Sequence, residues 1–183
     1  MMVYSIGFLE LNSIAKGVET ADIVLKTAEV SLIFSRSGCP GKYYLLFHGE
    51  VAAVNSSIEA GRKLAGDHVV DSCVIPRVHP QVIKAINMTN LPDRMQAVGV
   101  MEYFSVTASI FSADAAVKAA DVDLVDVRLG TGIGGKSFVI LTGEVAAVTE
   151  AVKAGVSTPN AEGRLVSSVV SPSPHPELLD TLL

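Results

Sequence analysis

Apolar positions in this chain follow two rhythms in a fixed order, and each rhythm marks an element. Residues 3–11 alternate with the period of a strand. Asn12-Ser13 offers a helix cap, and Ile14, Val18, Ala21, Leu25 and Ala28 then recur at helical spacing, which predicts that this face turns to the core. Residues 29–36 read as a second strand. The loop Ser37-Gly38-Cys39-Pro40-Gly41-Lys42 follows, punctuated by Gly and Pro. Residues 43–48 read as a third strand, hairpin-paired with the second, and Gly49 breaks it. Val51, Val54, Ile58 and Gly61 give one face of a second helix. Residues 69–75 read as a fourth strand ended by Pro76, residues 80–88 as a short helix, and Thr89–Arg94 as a linker.

The same order then returns. A strand at 97–103 leads to a helix near 106–120, with Val106, Ile110, Ala113, Val117 and Ala120 on one face. Strands near 122–128 and 137–142, a helix near 144–155 and a strand near 164–171 complete it. Identities mark the duplication. Lys26-Thr27-Ala28 returns as Lys118-Ala119-Ala120, Gly41-Lys42 as Gly135-Lys136, and Gly49-Glu50-Val51-Ala52-Ala53-Val54 as Gly143-Glu144-Val145-Ala146-Ala147-Val148. A period of about 90 residues is the size of a small domain, not of a solenoid repeat. The expectation is an α+β chain of two tandem ferredoxin-like β-α-β-β-α-β domains, unpermuted, over residues 1–91 and 92–183. That topology hosts many unrelated functions, so it does not supply one.

Composition narrows the field. Apolar residues make up 49% of the chain and charged residues 18%, and Trp is absent. So little charge implies that part of the surface is covered in an assembly. A net charge of −5 argues against a nucleic-acid partner. No stretch reaches the apolar length of a membrane span, and the N-terminus, with Glu10 early and no basic lead-in, does not read as a signal peptide. Two Cys in such a chain imply a reducing cytosol.

The copies differ most in one loop. Cys39 has no counterpart in the second copy, where Leu129-Gly130-Thr131-Gly132-Ile133-Gly134-Gly135-Lys136 stands instead. Those glycines do not form a phosphate-binding loop, because the spacing before Gly135-Lys136-Ser137 is wrong and a strand follows instead of a helix. Cys73, in a strand, reads as a small buried hydrophobe. His79 and His175 share a P-x-x-H-P context whose repetition points to a structural role at the turn. No set of nucleophile, His and carboxylate stands out, so the chain reads as no enzyme. Lys26 and Lys118 end the first helix of each copy, where a cation suits the helix dipole.

In their order and duplication, these signals resemble the tandem-domain shell proteins of bacterial microcompartments: G-x-x-E at Gly7–Glu10 and Gly99–Glu102, the helix ends Leu25–Val30 and Val117–Val122, the Gly-rich loop, G-E-V-A-A-V, and P-x-x-H. The first-copy loop resembles that of the trimeric iron–sulfur type from propanediol-utilisation compartments. The resemblance implies a cytoplasmic compartment shell, a homotrimer shaped as a pseudohexameric tile, and other shell proteins and an encapsulated redox enzyme as partners. It implies a central pore lined by Ser37, Gly38, Cys39, Pro40 and Gly41 with Gly130, Thr131, Gly132, Ile133 and Gly134. It puts Lys26, Lys118 and Arg77 at the tile edge, with Ser173 replacing the Arg in the second copy. It further implies one 4Fe-4S cluster per trimer, held by Cys39 of three chains, for electron transfer across the shell or cluster delivery. Three thiolates leave one iron open, against the usual four ligands, and three Cys plus a water also satisfy zinc. Two other readings stay open: a metal-free tile whose pore passes small polar metabolites, and a small-molecule sensor on paired ferredoxin-like domains.

Overall fold

The computed structural model describes residues 5–90, 92, 95–179 and 181–182. The first two residues of the strand expected at 3–11, and Leu91, Asp93 and Arg94 of the expected linker, lie outside the described residues. The chain forms two compact units, Met1–Val78 and His79–Leu183.

The first unit runs β1 (Ser5–Leu11), α1 (Ile14–Thr27), β2 (Val30–Gly38), β3 (Lys42–Gly49), α2 (Val51–Ala65) and β4 (Val69–Ile75). Its sheet has the order β2-β3-β1-β4 with antiparallel neighbours throughout. Helices α1 and α2 pack on each other and on the sheet. Between them lies a core of Leu9, Leu11, Val24, Tyr43, Leu45, Phe47, Val54 and Ile58.

The second unit opens with α3 (Pro80–Ile86). It then repeats the order as β5 (Ala97–Tyr103), α4 (Val106–Ala119), β6 (Asp123–Leu129), β7 (Ser137–Gly143), α5 (Val145–Val156), β8 (Leu165–Ser171) and α6 (Pro176–Leu179). Its sheet order, β6-β7-β5-β8, is that of the first. Even the irregularities recur: β2 shifts register between Leu32 and Phe34, and β6 between Leu124 and Asp126. The two ferredoxin-like α+β domains are therefore as expected from the pattern, and their strand order is unpermuted.

The compact units divide at 78/79, within the segment that joins the expected ranges 1–91 and 92–183, because α3 packs against β6 and α4 of the second unit. One expectation is corrected: the inward face of α1 is turned. Gly17, Thr20, Ala21 and Val24 are buried, while Ile14, Val18 and Leu25 are exposed. The cause is close approach to the sheet: a Cβ at position 17 would stand 2.3 Å from the ring of Tyr43. Only glycine lets the helix lie there, so Gly17 fixes which stripe faces in. Thr20 enters the core because its hydroxyl donates to its own helix at Lys16 O, 2.7 Å away. In α4 the predicted residues Val106, Ile110 and Ala113 are fully buried, as periodicity implied. Ser13 and Ser105 cap α1 and α4, accepting from Lys16 N and Ala108 N at 3.3 and 3.2 Å.

Candidate functional site

The two β-hairpin loops are built differently on the same frame. Strands β2 and β3 stay paired up to Gly38 and Lys42, so the first loop is only Cys39-Pro40-Gly41. Gly41 closes it at φ 75°, a conformation that favours glycine. Gly38 sits on the ring of Tyr44; a Cβ there would come within 2.0 Å of it. Below the loop, the Tyr44 hydroxyl donates to the Cys39 carbonyl at 3.1 Å. Burial first, and then the nearby charges of Glu10 and Cys39, push the Tyr44 phenol up, so it remains a proton donor at neutral pH. The Cys39 thiol is free and half-buried at the tip, flanked by exposed Ser37, Pro40 and Gly41.

The second loop is wider. Strand β6 ends at Leu129 and β7 begins at Ser137. Gly130 N donates to Lys136 O at 3.1 Å and Lys136 N to Ile133 O at 3.2 Å. Gly130 is buried at the base of the loop, whereas Thr131, Gly132 and Gly134 are exposed. Gly130, Gly132, Gly134 and Gly135 all carry positive φ, so this is a loop that no β-branched sequence could copy. It runs directly into a strand, as the sequence spacing implied.

Both loops are anchored by an ion pair between residues far apart in the sequence. Lys42 binds Glu10, whose side chain is buried, and Lys136 binds Glu102 at 2.9 Å across a more exposed pair. The signal was present, since the Glu of G-x-x-E and the Lys of Gly-Lys both return in register. Neither had been connected to the other, because 32 and 34 residues separate the partners.

The remaining candidates fall elsewhere. Lys26 is exposed near the end of α1 and pairs with Asp22 at 2.5 Å, and Lys118 pairs with Asp114 at 2.6 Å. Arg77 and Ser173 are exposed after β4 and β8, and Arg77 holds φ 51°. His79 and His175 share one role, as expected of their repetition. The Nδ1 of each accepts from a backbone N–H two residues on, Gln81 at 3.4 Å and Glu177 at 3.3 Å, at the start of α3 and α6. Cys73 is buried in β4 and its thiol is pushed up by burial and then by Asp71, as suits a core hydrophobe. Among the described residues, no three His, Cys, Asp or Glu of one chain gather as metal ligands. Cys39 alone therefore cannot hold a cluster within one chain, and any such site needs thiols from several copies. No described helix is long and apolar enough to cross a membrane.

A duplicated ferredoxin-like sheet with its distinctive chemistry confined to hairpin loops defines a tandem-domain protein whose copies have diverged at those loops. The BMC domain model matches residues 5–78 and 97–174, one match per copy. The chain is 47% identical to the bacterial microcompartment shell protein PduT of Citrobacter freundii over 174 residues, 95% of each chain. It is 28% identical to the carboxysome assembly protein CcmO of Synechococcus elongatus, across 97% of this chain and 68% of that one. A crystal structure of a microcompartments protein from Desulfitobacterium hafniense DCB superposes with a TM-score of 0.92 at 49% identity, covering 98% of this chain and 99% of that one. The fused permuted hexameric shell protein of the RMM microcompartment gives 0.61 at 27% identity, covering 83% and 79%. The chain belongs to the BMC-domain family, as a tandem-domain bacterial microcompartment shell protein.

Proposed function

We propose that this protein is a structural tile of a microcompartment shell, a trimer with six BMC domains around a pseudo-sixfold axis, and that Cys39 of three chains holds one 4Fe-4S cluster at that axis. Membership of a shell-protein family and the relative described as hexameric support the tile. The observation that carries the cluster is the asymmetry of the hairpin loops. One copy presents a short, rigidly seated loop with a half-exposed thiol, and the other a longer polyglycine loop without one. When bound, the cluster would supply one-electron redox chemistry. The chain's own part is positional. Gly38 seats the loop on Tyr44, the Tyr44 hydroxyl fixes the Cys39 carbonyl, and the Glu10–Lys42 pair holds the base of β3. The exposed glycines of the second loop leave backbone N–H groups near the same end of their own hairpin. The role in this reading is structural and electron-carrying rather than catalytic. An encapsulated redox enzyme would be the electron partner, and other shell proteins would meet the tile at edges carrying Lys26, Lys118 and Arg77.

Iron and acid-labile sulfide per chain test this, after anaerobic reconstitution, with Cys39→Ser alongside. One cluster per three chains gives roughly 1.3 iron per chain in the wild type and none in the variant, with the same particle mass. Zinc in place of iron would make the site a tetrahedral metal plug. Metal in neither protein would leave a metal-free tile whose hairpin loops frame a pore for small polar metabolites.

A further inference from the structure

The same row of residues crosses both sheets, and its positive end is balanced in only one of them. In the first unit Glu10, Tyr44 and Arg36 stand side by side on β1, β3 and β2. In the second, Glu102, Phe138 and Arg128 stand side by side on β5, β7 and β6. Each Glu is taken by a lysine from the hairpin, Lys42 or Lys136. The two arginines differ. Arg128 binds Asp126, with Nε 3.0 Å and Nη2 2.7 Å from one carboxylate oxygen. Asp126 stands opposite Ile140, and at the matching position of the first unit Phe34 stands opposite Leu46. The first copy therefore has an aromatic ring where the second has a carboxylate. Arg36 lies over that ring, its guanidinium carbon 4.3 Å from the centroid. Arg36 is exposed, and among the described residues no carboxylate pairs with it. Toward the other end of β6, Gln81 Oε1 caps the strand by accepting from Leu124 N at 2.9 Å, and no arginine takes part there.

Phe34 holds Arg36 without neutralising it, whereas Asp126 neutralises Arg128. A guanidinium stacked on a ring keeps its N–H edge free, which suits it to fork onto a carboxylate. The tip of the first hairpin thus carries one uncompensated positive charge and the tip of the second carries none. Arg36 stands three residues from Cys39, about 10 Å at the rise of a strand. The chain as a whole carries −5, so its net charge repels an acidic protein and local cations decide where one settles.

We propose that the Arg36 guanidiniums of three chains bind carboxylates on the acidic face of the electron partner and dock it over the tips of the first hairpins. The partner is a small one-electron carrier protein whose own redox centre is ringed by Asp and Glu. Arg36 makes the contact, and Phe34 is its positioning residue. The second hairpin, neutral at its tip, adds no such contact. This rests on the reading that Cys39 holds a cluster at the axis, and it names the chemistry of the partner that reading requires.

Isothermal titration of the reconstituted full-length oligomer with flavodoxin, a small acidic one-electron carrier, tests this at low and at physiological salt. Wild type is compared with Arg36→Gln, Arg36→Lys and Phe34→Asp, with iron content and native mass measured alongside. Wild type should bind, more weakly as salt rises. Arg36→Gln should bind at least about tenfold more weakly at low salt, with a flatter salt dependence. Arg36→Lys should fall between them, because it keeps the charge and loses the fork. Phe34→Asp should weaken binding like Arg36→Gln although Arg36 is still present, since it supplies the partner that Arg128 has. Iron and oligomer mass should not change. Equal binding by wild type and Arg36→Gln overturns the inference and leaves the cluster reading standing, and so does an iron-loaded wild type that binds no flavodoxin. Loss of the oligomer in Arg36→Gln also overturns it, because Arg36 is then a contact between copies. Should Phe34→Asp fail to assemble, Arg36→Gln decides the matter. A wild type without iron overturns the cluster reading and the inference together.

Discussion

The two units share strand order, register shifts, caps and anchoring ion pairs, yet they differ in how much of the same surface is covered. Helix α4 buries Val106, Ile110 and Ala113, while α1 leaves Ile14, Val18 and Leu25 in solvent. Strand β6 is capped along its edge and β2 is open. The difference teaches that duplication conserves the frame, while each copy is finished by different neighbours. An exposed leucine on a sheet edge is the kind of surface that proteins cover or blunt. The loops diverge in the opposite sense: the first is tight and seated on an aromatic ring, the second long and held by its own backbone.

Paired substitutions, one in each unit, break or sharpen this comparison. The largest contrast lies on the helix faces. Ile110→Ala should cost about 2–5 kcal/mol of unfolding free energy, through lost burial and the cavity left behind. Val18→Ala should change it by no more than about 0.5 kcal/mol in the dissociated chain. Urea unfolding read by circular dichroism separates them, and equal costs would mean that the two faces are not differently covered. The anchoring pairs come next. Lys42→Met strands the buried Glu10 carboxylate and should cost about 2–3 kcal/mol, less than a fully buried pair because Lys42 is partly exposed. Lys136→Met, across the more exposed pair, should cost under about 1 kcal/mol. Thermal unfolding of both variants measures the gap. Smaller still is the contrast in the loops. Gly38→Ala drives a methyl into Tyr44 and should cost about 1–3 kcal/mol. Gly134→Ala meets open space at φ 66° and should cost about 1 kcal/mol, from backbone strain alone. A Gly38→Ala protein as stable as Gly134→Ala would show that the seat on Tyr44 is loose.

Much of the fold was legible because its determinants are local. Strands β4 and β5 match their predicted ranges, and the others differ at their ends by at most a few residues, since alternation and helical period report burial directly. The paired histidines were correctly read as turn elements because both copies carry them in the same context. The inward face of α1 was misread for a physical reason. Periodicity counts apolar side chains, whereas the face was set by Gly17 against Tyr43, a contact between positions distant in sequence. At the candidate site, the sequence singled out Cys39 through the failed repeat. It did not reveal that Tyr44, Gly38 and the Glu10–Lys42 pair seat that loop, since each depends on β1, β2 and β3 lying side by side.

The sequence by itself determined the duplication, the element order, the helix caps and the odd cysteine in the first hairpin. Each rests on interactions within a few residues or on direct comparison of the copies. The tertiary structure alone decided the turned face of α1, the assignment of α3 to the second unit, and which edge strand is closed. Those outcomes depend on close packing and on backbone hydrogen bonds made across long stretches of chain, where a single glycine or a single glutamine settles which surfaces meet.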